Sequence, residues 1–295
     1  MQSSKPKILV AGDVIIDSYI YGSIDRMAPD FYGFVFDSLD GQDFLGGAGN
    51  VANNLAKLIP DNEINLLGSC NTQGFDDLFC YLHFIPVSSE TMIKTRYIAV
   101  SDQDPHKPKN KQKLIRVDTK KKFHAGLTNI HKMYGKYDFI VISDYDKGTI
   151  ADNFFYRKNN GEILIVDSKK SDLTIFDNAD YIKVNAKEYK KVTSKSPHTT
   201  FIVTNGKDPV KVIQDDIVLF EVPTVTVKNP TTEDKDYSGT GDSFLAGLIY
   251  GLYHGKGIKE AIKYGNTTAA LSIHSYGTTA VKEEDLLKEI STNPK

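Results

Sequence analysis

The hydrophobic positions of this chain fall into short unbroken runs, each followed by turn-forming or polar residues. Six runs have the length and composition of strands: Lys7–Ala11, Ile64–Leu67, Phe139–Ser143, Ile163–Asp167, Tyr181–Val184 and Phe201–Thr204. Strands that are apolar on both sides, without alternation, are typical of a parallel sheet covered on both faces. We therefore expect these runs to form a central, mostly parallel sheet.

Helical patterns lie between or after these strands. Gly49–Ile59 and Gly241–Tyr253 carry apolar residues three and four positions apart, and Ile258–Ser275 continues with a helix rich in small residues. Alternation of strands and helices predicts an α/β fold, in which a doubly wound sheet is flanked by helices.

Three further segments are rich in β-forming residues and have no helical period: Phe31–Phe36, Thr91–Val100 and Gln112–Asp118. We interpret them as a small β-sheet lid, built from about residues 17–45 and 91–118, that projects from a single domain covering residues 1–295. The polar stretch Ser101–Lys111 contains two prolines and several lysines, as expected of an exposed turn between two strands of this lid.

Composition narrows the classes of function. The 295 residues carry a formal net charge of -2, which disfavours a nucleic-acid-binding protein but still allows a local basic pocket for a small anion. The polar amino terminus lacks the apolar stretch of a signal peptide, and no run is long enough to span a membrane. The spacing of Cys70 and Cys80 matches no metal motif. Two isolated thiols fit a reducing compartment better than a disulfide scaffold. We expect a cytoplasmic protein.

The strongest chemical motif is Asp236–Asp242, with the sequence DYSGTGD, directly before a predicted helix. Its two glycines allow a sharp turn that points N–H groups outward, and the helix start adds unpaired donors, so this corner could hold a phosphate. Asp242 lies where it could accept a proton from an attacking hydroxyl. An ordinary helix start with an acidic first turn would have the same spacing.

A second glycine-rich motif opens the first predicted helix. Gly46 and Gly47 would let a ligand approach the backbone closely, and Asn50 in the first turn could reach sugar hydroxyls. Asp17 follows the first strand, at the edge where open α/β sheets bind ligands, and could accept hydrogen bonds from two sugar hydroxyls. Alternatively, Gly46 and Gly47 would only make the start of the helix flexible, and Asp17 would only form a turn.

Three more polar groups follow predicted strands. Asn185 and Glu188, three residues apart on one helix face, could order a hydrated magnesium ion, or could simply begin a helix. Residues 204–206 (TNG) form either a turn or a nucleotide-contacting loop, and residues 143–148 (SDYDKG) end a strand with charges. All of these motifs converge on the carboxyl edge of the predicted sheet.

From about Lys7 to Val281, the order and spacing of these motifs resemble the ribokinase-like, or phosphofructokinase B type, carbohydrate kinases. Asp236–Asp242 resembles the carboxyl-terminal signature of that family, with Thr240 in place of the usual alanine. The glycines and asparagine of the second motif resemble its amino-terminal signature, and the magnesium candidates match its Asn-x-x-Glu motif. The stretch Lys228–Lys235 is longer than in the family. The resemblance implies a ribokinase-like fold and transfer of the γ-phosphoryl group of ATP·Mg²⁺ to a sugar hydroxyl.

The resemblance also implies a role for each matching residue. Asp242 would be the general base. The anion hole would be formed by the backbone amides of Gly239, Thr240 and Gly241. The sugar would be bound by Asp17, Gly46, Gly47 and Asn50, and the nucleotide by Asn185, Glu188, Thr204, Gly206 and Asn266, with Glu188 holding Mg²⁺ through water. Some relatives also use a monovalent cation, and in relatives the β-lid closes over the sugar and often forms a homodimer contact.

Within the family, three segments most resemble the kinases of D-glycero-D-manno-heptose 7-phosphate, which make a lipopolysaccharide precursor. They are Gly12–Tyr19 with Tyr21 and Gly22, Gln112–Asp118, and Ser143–Gly148. The implied reaction is phosphorylation of the anomeric hydroxyl, giving the 1,7-bisphosphate. A phosphorylated substrate needs cationic partners. The candidates are Lys94, Arg96, Arg116 and Lys147, and Asp144 is assigned to the same substrate site. The His-x-Gly-His motif of the nucleotidyltransferase domain found in some relatives is absent, so we expect a kinase alone.

Two alternatives stay open. A kinase of another sugar, sugar phosphate or nucleoside would use the same phosphate corner. A non-catalytic sugar- or nucleotide-binding relative would keep the fold, but it would have no need of Asp242 with Gly239–Gly241. A dinucleotide-dependent dehydrogenase is disfavoured because no Gly-x-Gly-x-x-Gly sequence follows the first strand.

Overall fold

The structure, a computed structural model, describes residues 5–100, 111–119, 122–123, 126–130, 136–226, 236–273 and 277–292. Three segments discussed above lie wholly or partly outside these residues. They are the loop Ser101–Lys111 except for Lys111, the stretch Lys228–Lys235, and the end of the helix predicted over Ile258–Ser275.

The larger sheet is mainly parallel. Its parallel strands are β1 (Ile8–Gly12), β4 (Ile64–Ser69), β5 (His83–Ser88), β8 (Phe139–Asp144), β9 (Ile163–Ser168), β10 (Tyr181–Asn185) and β11 (Phe201–Asn205). Two antiparallel strands, β12 (Asp208–Gln214) and β13 (Ile217–Val222), extend one side. The order across the described sheet is β13-β12-β11-β10-β9-β8-β1-β4-β5. The six strands predicted from unbroken apolar runs are confirmed.

Both faces of this sheet are buried, which explains the unbroken apolar runs. In β1, Ile8 and Val10 pack into one hydrophobic cluster, and Leu9 and Ala11 pack into the other. The first cluster lies under α1 (Ala48–Leu58), α3 (Thr240–Tyr253), α4 (Ile258–Ser272) and α5 (Glu283–Thr292). In the described residues, the second cluster is covered by loops and by the single-turn α2 (Ala186–Tyr189).

A second sheet has four strands in the described residues. They are β2 (Val14–Met27), β3 (Phe34–Gly47), β6 (Met92–Val100) and β7 (Lys111–Asp118), in the order β3-β2-β6-β7. β2 begins two residues after β1 ends, so Asp13 alone separates the two sheets along the chain. The segments predicted to form a small sheet are paired here, although β3 begins at Phe34 and extends to Gly47. That this sheet acts as a lid stays a prediction.

The hairpin β12–β13 and the edge strand β5 were not anticipated. The hairpin turns at Asp215 and Asp216, which both have positive φ, 50° and 61°. This is the two-residue geometry that Asn-Gly usually signals, and Asp-Asp carries that signal weakly. β5 contains Pro86, a residue that disfavours a strand assignment but is tolerated at a sheet edge.

Among the described residues, no helix combines the length and the apolar character needed to cross a membrane.

Candidate active site

The start of α3 brings the strongest sequence motif into a tight corner. Gly239 caps the helix in the left-handed region, with φ 74°, and Asp242 lies in the first turn with only 2 % of its surface exposed. A Cβ atom on Gly239 would lie 2.5 Å from Asn50 Nδ2, and one on Gly241 would lie 3.0 Å from Lys183 Nζ. Both glycines therefore permit close packing of polar groups around the helix start.

The amide groups of this first turn point away from the helix, as at any helix start. The hydroxyl of Thr240 donates to the carbonyl of Tyr237 at 3.0 Å. Its polar group is therefore turned onto the preceding loop. The amide of Thr240 also donates to the Tyr237 carbonyl, at 3.4 Å, so this donor is already engaged within the loop. The positive dipole end of the helix still attracts an anion.

Asp242 is held by two donors from different parts of the chain. Asn50, in the first turn of α1, donates from Nδ2 to Asp242 Oδ2 at 3.0 Å, and the Tyr145 hydroxyl donates to Oδ1 at 2.6 Å. The structure thus joins the two glycine-rich motifs of the sequence at one carboxylate. Asn54 Nδ2 in turn donates to Asn50 Oδ1 at 2.9 Å, which orients the Asn50 amide.

Burial raises the pKa of Asp242 above its ordinary value. The hydrogen bonds from Tyr145 and Asn50 oppose this rise, because they favour the ionised carboxylate. Asp167 raises the pKa further and Lys183 lowers it. A buried, hydrogen-bonded carboxylate with a raised pKa is the kind of group that serves as a general base near neutral pH.

Residues of the second sheet form one wall of the candidate site, beside Asp242. Asp17 on β2 pairs with Arg96 on β6, Oδ1 to Nη1 at 2.5 Å, with both side chains largely buried. A Cβ atom on Gly46 would lie 2.2 Å from Asp17 Oδ2, so any larger residue would displace the Asp17 carboxylate. At Gly47, φ is 57° and a Cβ atom would lie 2.4 Å from the Asp13 carbonyl oxygen. Gly47 therefore meets a backbone requirement, whereas Gly46 leaves room for the Asp17 side chain.

Lys94, also on β6, brings a positive charge to this wall. Its Nζ lies 5.1 Å from the centroid of the Tyr145 ring, and within the described residues it has neither a hydrogen bond nor an ion pair. Burial lowers the pKa of Lys94, while the carboxylates of Asp17 and Asp242 oppose this. A half-buried cation without an ion-pair partner is suited to an anionic ligand.

A charged network lies on the other side of Tyr145. Lys183 is 3 % exposed and pairs with Asp167, which is 1 % exposed, at 2.6 Å. Lys169 Nζ lies 3.2 Å from Asp167 Oδ1, 2.7 Å from Glu188 Oε1 and 5.2 Å from the Tyr145 ring centroid. The network connects the predicted nucleotide motif to the helix start that holds Asp242.

The Asn-x-x-Glu motif forms a capping box at the start of α2. Asn185 Oδ1 accepts the amides of Lys187 and Glu188 at 2.9 Å, and Glu188 Oε2 accepts the amide of Asn185 at 2.8 Å. Glu188 keeps spare lone pairs beside Lys169. Magnesium usually retains waters and uses one or two carboxylates with substrate phosphates, so these residues fit a hydrated ion. No group of three or more His, Cys, Asp or Glu in the described residues forms a fuller metal cage.

Of three predicted substrate contacts, two have other side-chain partners and the third lies in a loop. Asp144 is fully buried and accepts Ser168 Oγ at 2.7 Å. Arg116 pairs with its neighbour Asp118, Nε to Oδ1 at 2.8 Å, but as the register partner of Arg96 it shares the face that carries Asp17. Lys147 lies half-exposed in the loop after β8. Their roles in binding substrate stay predictions.

Within the described residues, three predicted nucleotide contacts make no hydrogen bond to the groups around Asp242. Thr204 and Gly206 lie where β11 turns into β12, and the space around Gly206 is open. Asn266 on α4 donates to the Pro223 carbonyl at 2.9 Å, next to the chain that leaves β13. Their contact with a nucleotide also stays a prediction.

Four residues of this site had no predicted role: Tyr145, Asp167, Lys169 and Lys183. A signal existed for Lys183, because a lysine inside an otherwise apolar strand must find an acidic partner. Tyr145 had no such signal, since its contact with Asp242 joins residues 97 positions apart.

The site therefore has a buried carboxylate, Asp242, at the start of a helix. On one side lies the wall of the second sheet with Asp17, Lys94 and Arg96, and on the other lies the network of Asp167, Lys169 and Lys183. This arrangement can remove a proton from a hydroxyl while stabilising negative charge beside it. These are the two tasks of phosphoryl transfer to an alcohol.

The comparison with known families agrees with this geometry. Residues 118–285 match the pfkB family of carbohydrate kinases. The chain belongs to this family, which confirms the resemblance drawn from the motifs and, at the level of the family, the assignment to the phosphotransferases.

Curated relatives extend the similarity over almost the whole chain. The chain is 28% identical over 307 residues to the bifunctional protein HldE of Nitratiruptor sp., covering 95% of this chain and 64% of that protein. It is also 28% identical over 331 residues to the bifunctional protein HldE of Helicobacter hepaticus, covering 100% and 66%. The chain thus spans about two thirds of the length of these relatives.

Solved structures support the fold. A ribokinase from Thermotoga maritima superposes with a TM-score of 0.67 at 18% identity, covering 97% of this chain and 99% of that chain. A ribokinase from Arabidopsis thaliana, complexed with ribose and ATP, also has a TM-score of 0.67, at 16% identity, covering 97% and 98%. The ribokinase-like α/β fold is confirmed.

Proposed function

We propose that this protein is an ATP-dependent kinase of a phosphorylated sugar, with Asp242 as the general base. The observation that carries the proposal is the position of Asp242, buried in the first turn of α3 between Asn50 and Tyr145 and next to Gly239 and Gly241. A protein that only binds sugar has no need of a buried base beside an anion-binding corner.

In this reaction Asp242 accepts the proton of the attacking sugar hydroxyl as that oxygen bonds to the γ-phosphorus of ATP. The bond from phosphorus to the β–γ bridging oxygen breaks, and ADP leaves. The helix-start amides around Gly241 and the ammonium group of Lys183 stabilise the negative charge of the moving phosphoryl group. Magnesium bound to the phosphates would neutralise charge, with Glu188 holding the ion through water.

The substrate we favour is D-glycero-D-manno-heptose 7-phosphate, phosphorylated at its anomeric hydroxyl. Support comes from the segments that resemble heptose kinases and from the similarity to HldE proteins. Two cations of the second sheet add a physical reason. Lys94 and Arg96 lie beside Asp17 on the wall next to the base, and such a wall suits a sugar that carries a phosphate. A kinase of another sugar phosphate is the alternative.

The test is ADP release from ATP·Mg²⁺ with a panel of acceptors: heptose 7-phosphate, sedoheptulose 7-phosphate, fructose 6-phosphate, ribose and adenosine. We expect turnover with heptose 7-phosphate well above the others. Turnover with a different member would keep the kinase and change the substrate. No turnover with any acceptor, despite measurable ATP binding, would contradict the proposal.

The base itself is tested by Asp242→Asn. We expect kcat to fall roughly 100-fold to 10,000-fold while the sugar still binds, because the amide keeps the shape but cannot take the proton. The matched control is Asp180→Asn. Asp180 lies just before β10, at the amino end of that strand and therefore at the edge of the sheet opposite Asp242. It accepts the Leu164 amide and pairs with Lys158, so the variant should retain activity. Near-normal turnover of Asp242→Asn would show that another group is the base.

We also propose that the second sheet closes over the sugar and forms a homodimer through its outer face. Ile20, Tyr97 and Ile115 are cross-strand partners on the face opposite Tyr19 and Arg96, and Ile115 is 59% exposed. Apolar residues aligned across strands on an open face favour association.

Light scattering of the wild-type protein should give the mass of a dimer, and Ile115→Glu should give a monomer. Ile217→Glu, on the exposed strand β13, is the control and should leave the dimer intact. A monomeric wild-type protein would contradict the dimer while leaving the kinase proposal unaffected.

A further inference from the structure

Tyr145 touches the proposed base, yet no motif of the sequence assigns it a role. Its hydroxyl donates to Asp242 Oδ1 at 2.6 Å, a distance typical of a strong hydrogen bond to a carboxylate. Asn50 holds the other oxygen, Oδ2. Because each carboxylate oxygen can accept more than one hydrogen bond, both contacts leave room for a substrate hydroxyl.

A buried carboxylate fixes the backbone that carries Tyr145. Asp13 is fully buried, and its Oδ2 accepts the amides of Tyr145 at 2.7 Å and Lys147 at 3.1 Å, while Oδ1 accepts the amide of Thr149 at 3.1 Å. Three bonds to one carboxylate anchor the loop after β8 at residues 145, 147 and 149. The position of the Tyr145 side chain therefore depends on Asp13.

The backbone of Asp13 also fixes the other donor to the base. Its amide donates to the Ser143 carbonyl and its carbonyl accepts the amide of Ala48, each at 3.0 Å. Ala48 is the first residue of α1, two positions before Asn50. One residue between the two sheets thus positions the elements from which both donors reach Asp242.

The Tyr145 ring is held on several sides. It packs against a cluster formed by Ile15, Met92 and Phe123. The ammonium groups of Lys94 and Lys169 lie 5.1 Å and 5.2 Å from its centroid. These contacts favour a fixed ring, which makes displacement of Tyr145 by the substrate costly.

We propose that Tyr145 is a positioning residue for Asp242: its hydroxyl stays bonded to Oδ1 during turnover and keeps the carboxylate oriented and ionised. This proposal rests on the proposed kinase function, because it assigns Asp242 the role of the base.

Electrostatics supports a donor role for Tyr145. Burial, followed by the carboxylates of Asp242 and Asp167, raises the pKa of Tyr145 well above its ordinary value, so the phenol stays protonated. The groups that face Asp242 are Tyr145 from the loop after β8, Asn50 from α1, Asp167 from β9, Lys183 from β10 and Lys94 from β6. Removing the Tyr145 hydroxyl takes away one group that favours the ionised form, so the pKa of Asp242 should rise.

The test is Tyr145→Phe, with two readouts. The first is the pH dependence of kcat/KM. We expect its acidic limb to move to higher pH and kcat to fall about tenfold to a hundredfold, as for loss of a hydrogen bond to a charged group. The second readout needs no turnover. The carboxyl carbon of Asp242 is titrated by NMR in free protein containing ¹³C-labelled aspartate, and its signal is assigned by its absence in Asp242→Asn.

The matched control is Tyr156→Phe, which removes a buried tyrosine hydroxyl from a carboxylate outside the site, Glu162 Oε2 at 2.8 Å. This variant should lose a similar amount of stability. The titration midpoint of Asp242 and the pH profile of kcat/KM should stay unchanged. If Tyr145→Phe does not fold, site-specific fluorotyrosine at position 145 replaces it. Its hydroxyl is a stronger donor, so the Asp242 midpoint should move to lower pH.

The outcomes separate the two proposals. An unchanged Asp242 midpoint in the position 145 variants overturns the positioning role, even if the wild-type protein is a fully active kinase. A moved midpoint with unchanged kcat/KM at every pH also overturns it. A wild-type protein without turnover on any acceptor overturns the kinase function, whatever the midpoint does.

Discussion

Asp144 provides a quantitative test of how this site is built. The sequence assigned it to the substrate, whereas its carboxylate accepts Ser168 Oγ at 2.7 Å and the amide of Asp146 at 2.9 Å and has no exposed surface. Burial, and then the nearby Asp13 carboxylate, raise the pKa of Asp144 from 3.8 to about 6. Lys170, 3.9 Å away, and the two hydrogen bonds only partly offset this.

The sign of the effect on stability follows from proton binding. Between pH 3.8 and about 6 the native state keeps the Asp144 proton that the unfolded chain has lost, so stability falls as pH rises through this window. Complete ionisation would cost roughly 3 kcal/mol, and the part lost between pH 4.5 and 7.5 is about 2 kcal/mol. Asp144→Asn removes this titration and leaves the rest of the chain unchanged.

The assay is urea unfolding of the wild-type protein and Asp144→Asn at several pH values between 4.5 and 7.5. The free energy of unfolding of the wild-type protein, relative to the variant, should fall by about 2 kcal/mol over this range. Parallel pH profiles would refute the reasoning. The same variant tests the substrate assignment, because a KM for the sugar raised tenfold or more at pH 7.5 would place Asp144 in the sugar site.

Three other substitutions test the surroundings of Asp242, the proposed base. Lys183→Met leaves Asp167 with one ion-pair partner and should destabilise the fold by roughly 3 kcal/mol in urea unfolding; a loss below about 1 kcal/mol would contradict a stabilising buried pair. Gly239→Ala places a Cβ atom 2.5 Å from Asn50 Nδ2 at a residue with positive φ. It should lower the free energy of unfolding by at least about 1 kcal/mol and also lower kcat. Normal kinetics would show that the corner can relax. Arg96→Met removes the ion-pair partner of the Asp17 carboxylate. In steady-state kinetics, KM for the sugar should therefore rise by a larger factor than kcat falls. The reverse pattern would assign Arg96 to the chemical step.

The central sheet could be predicted from the sequence, and so could two residues that the structure brings into contact, Asn50 and Asp242. Unbroken apolar runs identify strands buried on both faces, and β1, β4 and β8 to β11 follow them closely. Glycine at 46 and 239 could be understood before the structure, because glycine is the residue that allows close backbone approach. Asn50 and Asp242 lie in the first turns of predicted helices and do meet, although 192 positions separate them.

The second donor to Asp242, the proposed base, became visible in the tertiary structure alone. Tyr145 reaches Asp242 because Asp13 anchors its loop, and no local pattern encodes a contact between two such distant segments. The same limit applies to Lys169, whose three contacts come from three separate segments. Local sequence reports backbone propensity and the period of burial, whereas the environment of a charge depends on which strand ends are neighbours in the sheet. The order of strands places these groups together, and that order is set by the packing of the whole chain.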